Sequence, residues 1–379
     1  MELICLVAAV GVLYSYALYP MLLSLTRSQR QLCSPETTGE GQSLPSISLI
    51  ITAHNEEKRI REKIENSLQL EYTEGKLLIV VASDCSTDTT NEIVRSYKQV
   101  TLVEVDQHHG KEYAQLQAIE ATSSDIVVFS DVATEIPADA MQLIAAYFGA
   151  DPQLGALSSE DRFVSDNGEV AGEGLYVKYE MWLRKLESER AGLVGLSGSF
   201  FAARREILGQ WDTRSPSDFN TALQSANHGM HAISCPDVLG YYKNLKDPSR
   251  EYQRKVRTVL RGITALFRHT DSLNPKKHGL FAFQVFSHKL MRWLVPWFML
   301  LFALCTLTLY REHWFYQLLV IGQAVFYAIA LVGTYSESLR QSVLIRLVVF
   351  FVQVNVSITH AWIKYLSGAR MTVWIPSER

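Results

Sequence analysis

Four polar side chains follow short apolar stretches in the first 131 residues of the chain: Asn55, Glu56, Asp84 and Asp131. A carboxylate at the carboxyl end of a buried strand is typical of ligand sites in open α/β sheets. The alternative for each residue alone is a turn, or a cap for the helix that follows. Several such residues at one edge of the same sheet favour binding over capping. The pattern therefore predicts a site for a metal ion or a nucleotide.

Phosphate groups would have to be bound by a metal or by basic side chains, because the sequence has no glycine-rich phosphate loop of the Walker or dinucleotide type. A predicted helix at 250–269 supplies six cations: Arg250, Arg254, Lys255, Arg257, Arg261 and Arg268. Its other face is apolar, which is typical of a helix at an anionic membrane surface. Its guanidinium groups equally suit the oxygens of a pyrophosphate.

The sequence around these side chains predicts the elements that position them. Apolar runs predict buried strands, and charged or amphipathic runs predict helices between them. The predicted strands lie at 47–52, 77–82, 101–105 and 126–129, and the helices at 57–70, 89–97, 111–119 and 138–148. Such alternation predicts an α/β fold with a mostly parallel sheet and right-handed crossovers. The carboxyl ends of parallel strands meet at one edge, where the four polar residues would gather.

Beyond Gly155 the alternation weakens. An amphipathic helix is predicted from Gly174, and its aromatic stripe is more typical of packing than of substrate contact. The stretch 195–199 offers glycines for close approach and hydroxyl groups before a predicted strand at 200–203. Asp218 stands in the first turn of a predicted helix at 217–227, where the helix dipole alone would favour an acid.

Four apolar segments predict a membrane protein with a polar middle. They lie at 3–25, 293–310 and 314–336, with a fourth between Arg346 and Lys364. The first segment is expected to be a retained anchor rather than a cleaved signal peptide, since no basic residue precedes its long apolar run. Arg27 and Arg30 follow it, so the positive-inside rule places Thr26 onward in the cytoplasm.

Composition narrows the function classes further. The net charge of the 379 residues is −3, which argues against a nucleic-acid binder that acts through overall charge. The five cysteines are scattered, without the paired spacing of a zinc or redox motif. This usage fits a reducing cytosolic compartment and predicts no disulfide framework.

Taken together, the motifs resemble glycosyltransferase family 2, in its membrane-integrated polysaccharide-synthase-like branch. The resemblance extends from Ile47 to the carboxyl terminus and depends on the order of individually weak motifs. These are Ala53-His-Asn-Glu56, Ser83-Asp-Cys-Ser-Thr-Asp88, Gly110-Lys111, Ser130-Asp131, Gly174 to Glu180, Ser217-Asp218, Arg254 to Thr258 and Trp374 to Arg379. The resemblance implies a GT-A fold and an inverting sugar transfer from a nucleotide-activated donor.

The resemblance also implies roles for individual residues. Ala53, Glu56 and Asp84 would bind the nucleoside of the donor, and Lys111 would lie near its base or phosphates. Asp131 would hold Mg²⁺ or Mn²⁺ against the diphosphate, and Asp218 would be the general base. The leaving diphosphate would be stabilised by Arg254 and Arg257, and the acceptor or gate residues would be Gly198, Ser199 and Trp374.

The sequence departs from the pattern of this branch at three motifs. The metal motif lacks its second aspartate and reads Asp131-Val-Ala133, so one carboxylate and diphosphate oxygens would hold the ion. Ser217 replaces the acid that usually precedes the base. The Gln-x-x-Arg-Trp motif of processive synthases keeps Arg257 but ends in Thr258, which makes long-chain processive synthesis a weaker expectation.

The expected organisation has six parts along the chain. They are a transmembrane anchor (1–26), a linker (27–45), a cytosolic GT-A domain (46–249), basic and interfacial helices (250–290), three apolar membrane segments (291–366) and a tail (367–379).

The expected function is inverting transfer of a sugar from a nucleotide-sugar, with a UDP-sugar as the first candidate, to a glycan or lipid-linked acceptor. The reaction would take place at the cytoplasmic face of a bacterial inner membrane, among membrane lipids and with an export partner. The alternative is a catalytically silent nucleotide-sugar-binding subunit of a polysaccharide export complex.

Overall fold

One seven-stranded sheet forms the core of the polar part of the chain. In the computed structural model, which describes residues 1–28, 30, 44–72, 76–164, 175–243, 248–336 and 338–371, the strand order is β3-β2-β1-β4-β6-β5-β7. The strands are β1 (Ile47–Ala53), β2 (Leu77–Asp84), β3 (Val100–Val105), β4 (Ile126–Asp131), β5 (Leu154–Val164), β6 (Phe200–Arg204) and β7 (His231–Lys243).

Most neighbouring strands are parallel. This holds for β1 with β2 and with β4, for β2 with β3, and for β5 with β7. Only β6 runs antiparallel to its neighbours β4 and β5. The predicted α/β fold with a mostly parallel sheet is therefore confirmed.

Within the described residues, fourteen α-helices accompany the sheet. They are α1 (Glu2–Leu13), α2 (Tyr19–Leu25), α3 (Ile60–Leu68), α4 (Thr90–Arg95), α5 (Lys111–Glu120), α6 (Ala140–Ala150), α7 (Leu175–Arg190), α8 (Ser217–Asn227), α9 (Pro248–Arg268), α10 (Pro275–His278), α11 (Leu280–Val285), α12 (Met291–Thr308), α13 (Trp314–Tyr335) and α14 (Val343–Leu366). The described residues group into a sheet unit, from 27 to 243 with 265–281, and a helical unit with 1–26, 248–264 and 282–370.

The sheet unit has a hydrophobic core on each face of the sheet. Leu49 and Ile51 of β1 pack with residues of α3 and α6, whereas Ile50 between them packs with residues of α5. This division follows from the alternation of side chains along a strand. Burial on both faces explains why β1 reads as a continuous apolar run.

The helical unit contains four helical segments long and apolar enough to cross a membrane: Glu2–Leu25, Leu280–Thr308, Trp314–Tyr335 and Val343–Leu366. The second is longer than its predicted apolar core, since the region expected as an interfacial helix continues through a π-helical stretch, Phe286–Leu290, into α12. The apolar side chains of α13 are largely exposed, including Ile321, Val325 and Leu331. Such a surface suits lipid rather than water, and the protein is membrane-integrated.

Candidate functional site

Three parallel strands bring the predicted site residues to one edge of the sheet. Ala53 of β1 lies opposite Ser83 of β2, next to Asp84, and Thr52 lies opposite Asp131 of β4. Because the strands run in the same direction, their carboxyl ends meet here. The structure thus places Ala53, Asp84 and Asp131 at one edge of the sheet, and their roles stay predictions.

Asp84 is almost completely buried, with 1% of its side chain exposed. Its carboxylate accepts hydrogen bonds from the backbone N–H groups of His109, at 3.0 Å, and Gly110, at 2.9 Å. Gly110 has a φ of 96°, a conformation that favours glycine. Asp84 therefore shapes the turn from which α5 and its first residue, Lys111, begin.

Lys111 and Asp131 form an ion pair at the centre of this edge. The Nζ atom of Lys111 lies 2.5 Å from Oδ1 of Asp131 and donates a second hydrogen bond to the Gly198 carbonyl at 2.9 Å. The lysine side chain is 9% exposed and the aspartate side chain 23%, so the ammonium group is the better shielded of the two. The ammonium group thus balances the Asp131 carboxylate and lies where a diphosphate next to Asp131 would need positive charge.

Gly198 links this pair to Asp218, the predicted general base. A Cβ atom built on Gly198 would lie 3.3 Å from Oδ2 of Asp218, closer than most side-chain contacts in proteins. The backbone N–H of Leu196 also donates to the Asp218 carbonyl, at 3.3 Å. The loop at 195–199 therefore contacts both predicted functional acids, Asp131 through Lys111 and Asp218 directly.

The loop that leads into α8 is anchored by Asp212. This carboxylate accepts hydrogen bonds from Ser215, at 2.7 Å, and from Arg268, at 3.2 Å, and lies 3.0 Å from the His269 ring. Burial alone would raise the pKa of Asp212. The hydrogen bonds outweigh burial, with the one to His269 contributing most, and hold this pKa well below its usual range. The anchored loop fixes the start of the helix that carries Asp218.

Asp161 of β5 organises the same loop and was missed in the sequence. Its two carboxylate oxygens accept hydrogen bonds from the hydroxyls of Ser197, at 2.6 Å, and Ser199, at 2.7 Å. Burial raises the pKa of Asp161, while the serine hydrogen bonds act in the opposite direction. Ser199, predicted as an acceptor or gate residue, therefore has its hydroxyl bound to Asp161.

Lys63 of α3 is a second cation below this edge that sequence reasoning missed. It is 2% exposed, and its ammonium group donates to the Thr134 carbonyl. Burial lowers its pKa to about 7, against the opposing influence of Asp131 and Glu135. The available signal was its position beside Ile60 and Ile64, on the buried face of the helix.

The buried Lys63 predicts a pH-dependent stability. In the unfolded chain, the Lys63 side chain keeps its proton up to about pH 10.4. In the folded chain, it keeps its proton only up to about pH 7. Between these values the unfolded state binds more protons, so the free energy of unfolding rises with pH, by at most about 1.4 kcal/mol per unit. We expect Lys63→Met to lose this slope and to be the more stable protein at pH 7. Thermal unfolding at pH 7 and pH 9 measures both effects.

The exposed Lys58, just before the same helix, provides the control for the Lys63 prediction. Lys58→Met should keep the slope of the unmodified protein. The same pH slope in Lys63→Met and in the unmodified protein would contradict the assignment.

The remaining predicted residues are placed less directly. Glu56 is held by Arg59, whose Nε and Nη2 atoms donate to Oε2 at 3.0 and 2.5 Å. Arg254 and Arg257 lie on α9, within the helical unit, and their role toward the donor stays a prediction. Trp374 lies outside the described residues.

Asp131 is the residue that fits a divalent metal. One of its oxygens, Oδ1, contacts Lys111, while no second aspartate follows at 133. A single carboxylate suffices where diphosphate oxygens and water complete the coordination, as Mg²⁺ prefers. The site is compatible with a divalent metal.

Comparison with known proteins supplies an independent line of observation. Residues 48–211 match the family model described as Glycosyl transferase family 2. A poly-beta-1,6-N-acetyl-D-glucosamine synthase of Staphylococcus epidermidis is 26% identical over 183 residues, which are 46% of this chain and 44% of that protein. The synthase of that description from Staphylococcus aureus (strain COL) is 26% identical over 215 residues, 52% of each chain. The chain spans about half the length of these curated relatives.

Among solved structures, a mannosyltransferase from Pyrobaculum calidifontis in complex with GDP-Man and Mn2+ superposes with a TM-score of 0.74. It is 22% identical, and the match covers 96% of this chain and 98% of that chain. This likeness confirms the fold over nearly the whole length.

Proposed function

We propose that the protein transfers a sugar from a nucleotide-sugar donor to a glycan or lipid-linked acceptor, because residues 48–211 match the glycosyl transferase family 2 model. The observation that carries the proposal is the series of contacts Asp131–Lys111–Gly198–Asp218 at the edge of the sheet. It supports a role for Asp131, with its charge balanced by Lys111, toward the diphosphate and a role for Asp218 in proton abstraction.

Asp218 is the proposed general base. Its carboxylate takes the proton of the acceptor hydroxyl as the hydroxyl oxygen forms a bond to the anomeric carbon. The bond from that carbon to the diphosphate breaks on the opposite side, and its electron pair leaves with the diphosphate. A single displacement of this kind inverts the anomeric centre, so an α-linked donor gives a β-linked product.

Lys111 is proposed to stabilise the leaving diphosphate, because its ammonium group is buried beside Asp131 and needs no long movement to reach a phosphate oxygen. A divalent metal at Asp131 would add positive charge to the same group. Asp84, Ala53 and Glu56 are proposed to bind the nucleoside at the ends of β1 and β2.

The acceptor proposal draws on the membrane helices and on the relatives, which are named as polysaccharide synthases. A protein with four membrane-length segments has ready access to a lipid-linked or membrane-associated glycan. Arg27 and Arg30 support a cytoplasmic position for the sheet unit and an inner-membrane location. An export partner would receive the product.

Nucleotide release tests the proposed function. The full chain in nanodiscs is supplied with a panel of UDP- and GDP-sugars and with glycan or lipid-linked acceptors, in Mg²⁺, Mn²⁺ or chelator. We expect release from one donor, with a UDP-sugar as the first candidate, and loss of release with chelator. Donor binding without release under every condition would instead support the silent subunit of an export complex.

A further inference from the structure

Two histidine rings face each other beside Asp84, and the proposed transfer reaction uses neither of them. His54 directly follows β1, and His108 precedes α5. Their ring centroids are 4.4 Å apart, with an angle of 34° between the planes. One ligand atom each from His54, Asp84 and His108 can be chosen so that all three lie within 4.8 Å of one another.

The hydrogen bonds of the two rings decide which nitrogen of each carries the lone pair that an ion would bind. Nδ1 of His54 lies 2.6 Å from the backbone carbonyl oxygen of Asp84, and Nδ1 of His108 lies 2.9 Å from Oδ2 of the Asp84 carboxylate. Both oxygens can only accept, so each Nδ1 carries the hydrogen and each Nε2 carries a lone pair. The Nδ2 donor of Asn55, 3.4 Å from Nε2 of His54, agrees with this tautomer.

Hydrogen bonds from Nδ1 to a carboxylate or a carbonyl are typical of histidines that bind a metal ion through Nε2. A metal-binding imidazole usually donates its other N–H group to a carboxylate or a backbone carbonyl, which fixes the ring and raises its basicity. Asp84 supplies both kinds of acceptor. It is itself held by the backbone N–H groups of His109 and Gly110, while the His108 side chain is 33% exposed and so accessible to an ion from solution.

We propose that His54 and His108 bind a transition-metal ion of the Zn²⁺ class through their Nε2 atoms, with Asp84 orienting both rings. Imidazole nitrogen favours Zn²⁺, Ni²⁺ and Cu²⁺, whereas Mg²⁺ and Mn²⁺ prefer oxygen. The site is therefore chemically distinct from the one at Asp131. Two protein ligands leave positions for water, as in an exchangeable rather than a structural site.

Competition between this ion and the sugar donor is expected if the proposed function holds. If Asp84 contacts the donor nucleoside, the bound ion lies at the same strand end and the two ligands exclude each other. A Zn²⁺-class ion then inhibits sugar transfer by competing with the donor, while Mg²⁺ does not.

Direct metal binding tests the site without any enzymatic readout. The full chain in nanodiscs, purified without an oligohistidine tag and stripped with chelator, is titrated with Co²⁺ and then Zn²⁺ in excess Mg²⁺. The visible absorption of Co²⁺ and calorimetry with Zn²⁺ report binding. We expect one site that loses at least about tenfold in affinity in His54→Ala and in His108→Ala.

His109 provides the matched control. Its ring packs on Tyr113, with centroids 4.6 Å apart, and only its backbone N–H reaches Asp84. His109→Ala should keep the metal affinity of the unmodified protein. Equal affinities in all three variants, or no binding in the unmodified protein, would overturn the site.

Nucleotide binding is measured in the same samples with and without Zn²⁺. Weaker UDP or GDP binding with Zn²⁺ supports the competition, and unchanged nucleotide binding with an intact metal site overturns the competition alone. A histidine-dependent metal site in a protein that binds no nucleotide would instead overturn the proposed function and leave the metal site standing.

Discussion

Asp218→Asn is expected to lower kcat by about 10²- to 10⁴-fold, because an asparagine cannot accept the proton of the acceptor hydroxyl. Donor binding should be preserved, since Asp218 lies at the start of α8 beside Gly198, and the proposed nucleoside residues lie at the ends of β1 and β2. Asparagine has nearly the shape of aspartate, so the contact with Gly198 is kept. Initial rates of nucleotide release and calorimetric donor binding, on one preparation in nanodiscs, separate the two effects.

A second aspartate at the beginning of a helix controls for the Asp218 substitution. Asp139 precedes α6, is exposed and makes no side-chain capping bond. Asp139→Asn should leave both kcat and donor binding unchanged. Full activity in Asp218→Asn would remove the residue from the role of base.

For Asp131→Asn we expect a loss of about 10²- to 10³-fold in kcat, together with a loss of metal dependence. Asparagine removes the charge that would hold a divalent ion and leaves the Lys111 ammonium without its counter-charge. The Lys111 ammonium would then contact the donor diphosphate in the absence of a metal ion. Donor affinity in the variant should therefore be the same in Mg²⁺ and in chelator, whereas the unmodified protein should bind more tightly in Mg²⁺.

The opposite end of the same strand supplies the control for Asp131. Asp125 precedes β4 and accepts hydrogen bonds from the backbone N–H and hydroxyl of Ser46, at 2.8 and 2.7 Å. Asp125→Asn should lower the melting temperature slightly and leave metal dependence intact. A metal response that persists in Asp131→Asn would place the ion elsewhere.

The first half of the sheet could be predicted because its signals are local. Strands β1, β2 and β4 are continuous apolar runs, and a parallel arrangement brings their ends to one edge whatever the details of packing. The helix that carries Asp218 was also predicted with its observed bounds, 217–227. Four membrane-length segments followed from uncharged stretches alone.

In the second half of the sheet, β6 was predicted at 200–203, close to its observed bounds, whereas β5 and β7 were not predicted. The strand β5 contains Ser158, Ser159, Glu160 and Asp161, which interrupt the apolar pattern. These polar groups are satisfied by distant partners, such as Ser197 and Ser199 for Asp161. No local signal marks a strand whose hydrogen bonds are completed by a loop about forty residues away.

The roles of the site residues stay predictions, and the contacts between these residues could not be predicted from the sequence. The sequence placed Lys111 near the phosphates, yet its contact with Asp131 depends on the turn that Asp84 fixes through Gly110. His54 and His108 belong to different strand ends and meet only in the folded sheet. Their role emerges from hydrogen-bond direction, which a sequence does not carry.

Under the proposed function, the Lys111 ammonium must exchange its contact with Asp131 for a contact with the donor diphosphate. An incoming diphosphate must draw the ammonium away from an anion that it already contacts at 2.5 Å in a shielded place. Inorganic phosphate faces the same barrier without the nucleoside contacts that compensate for it. Under the proposed function, the ion pair would therefore favour a diphosphate attached to a nucleoside over free inorganic phosphate.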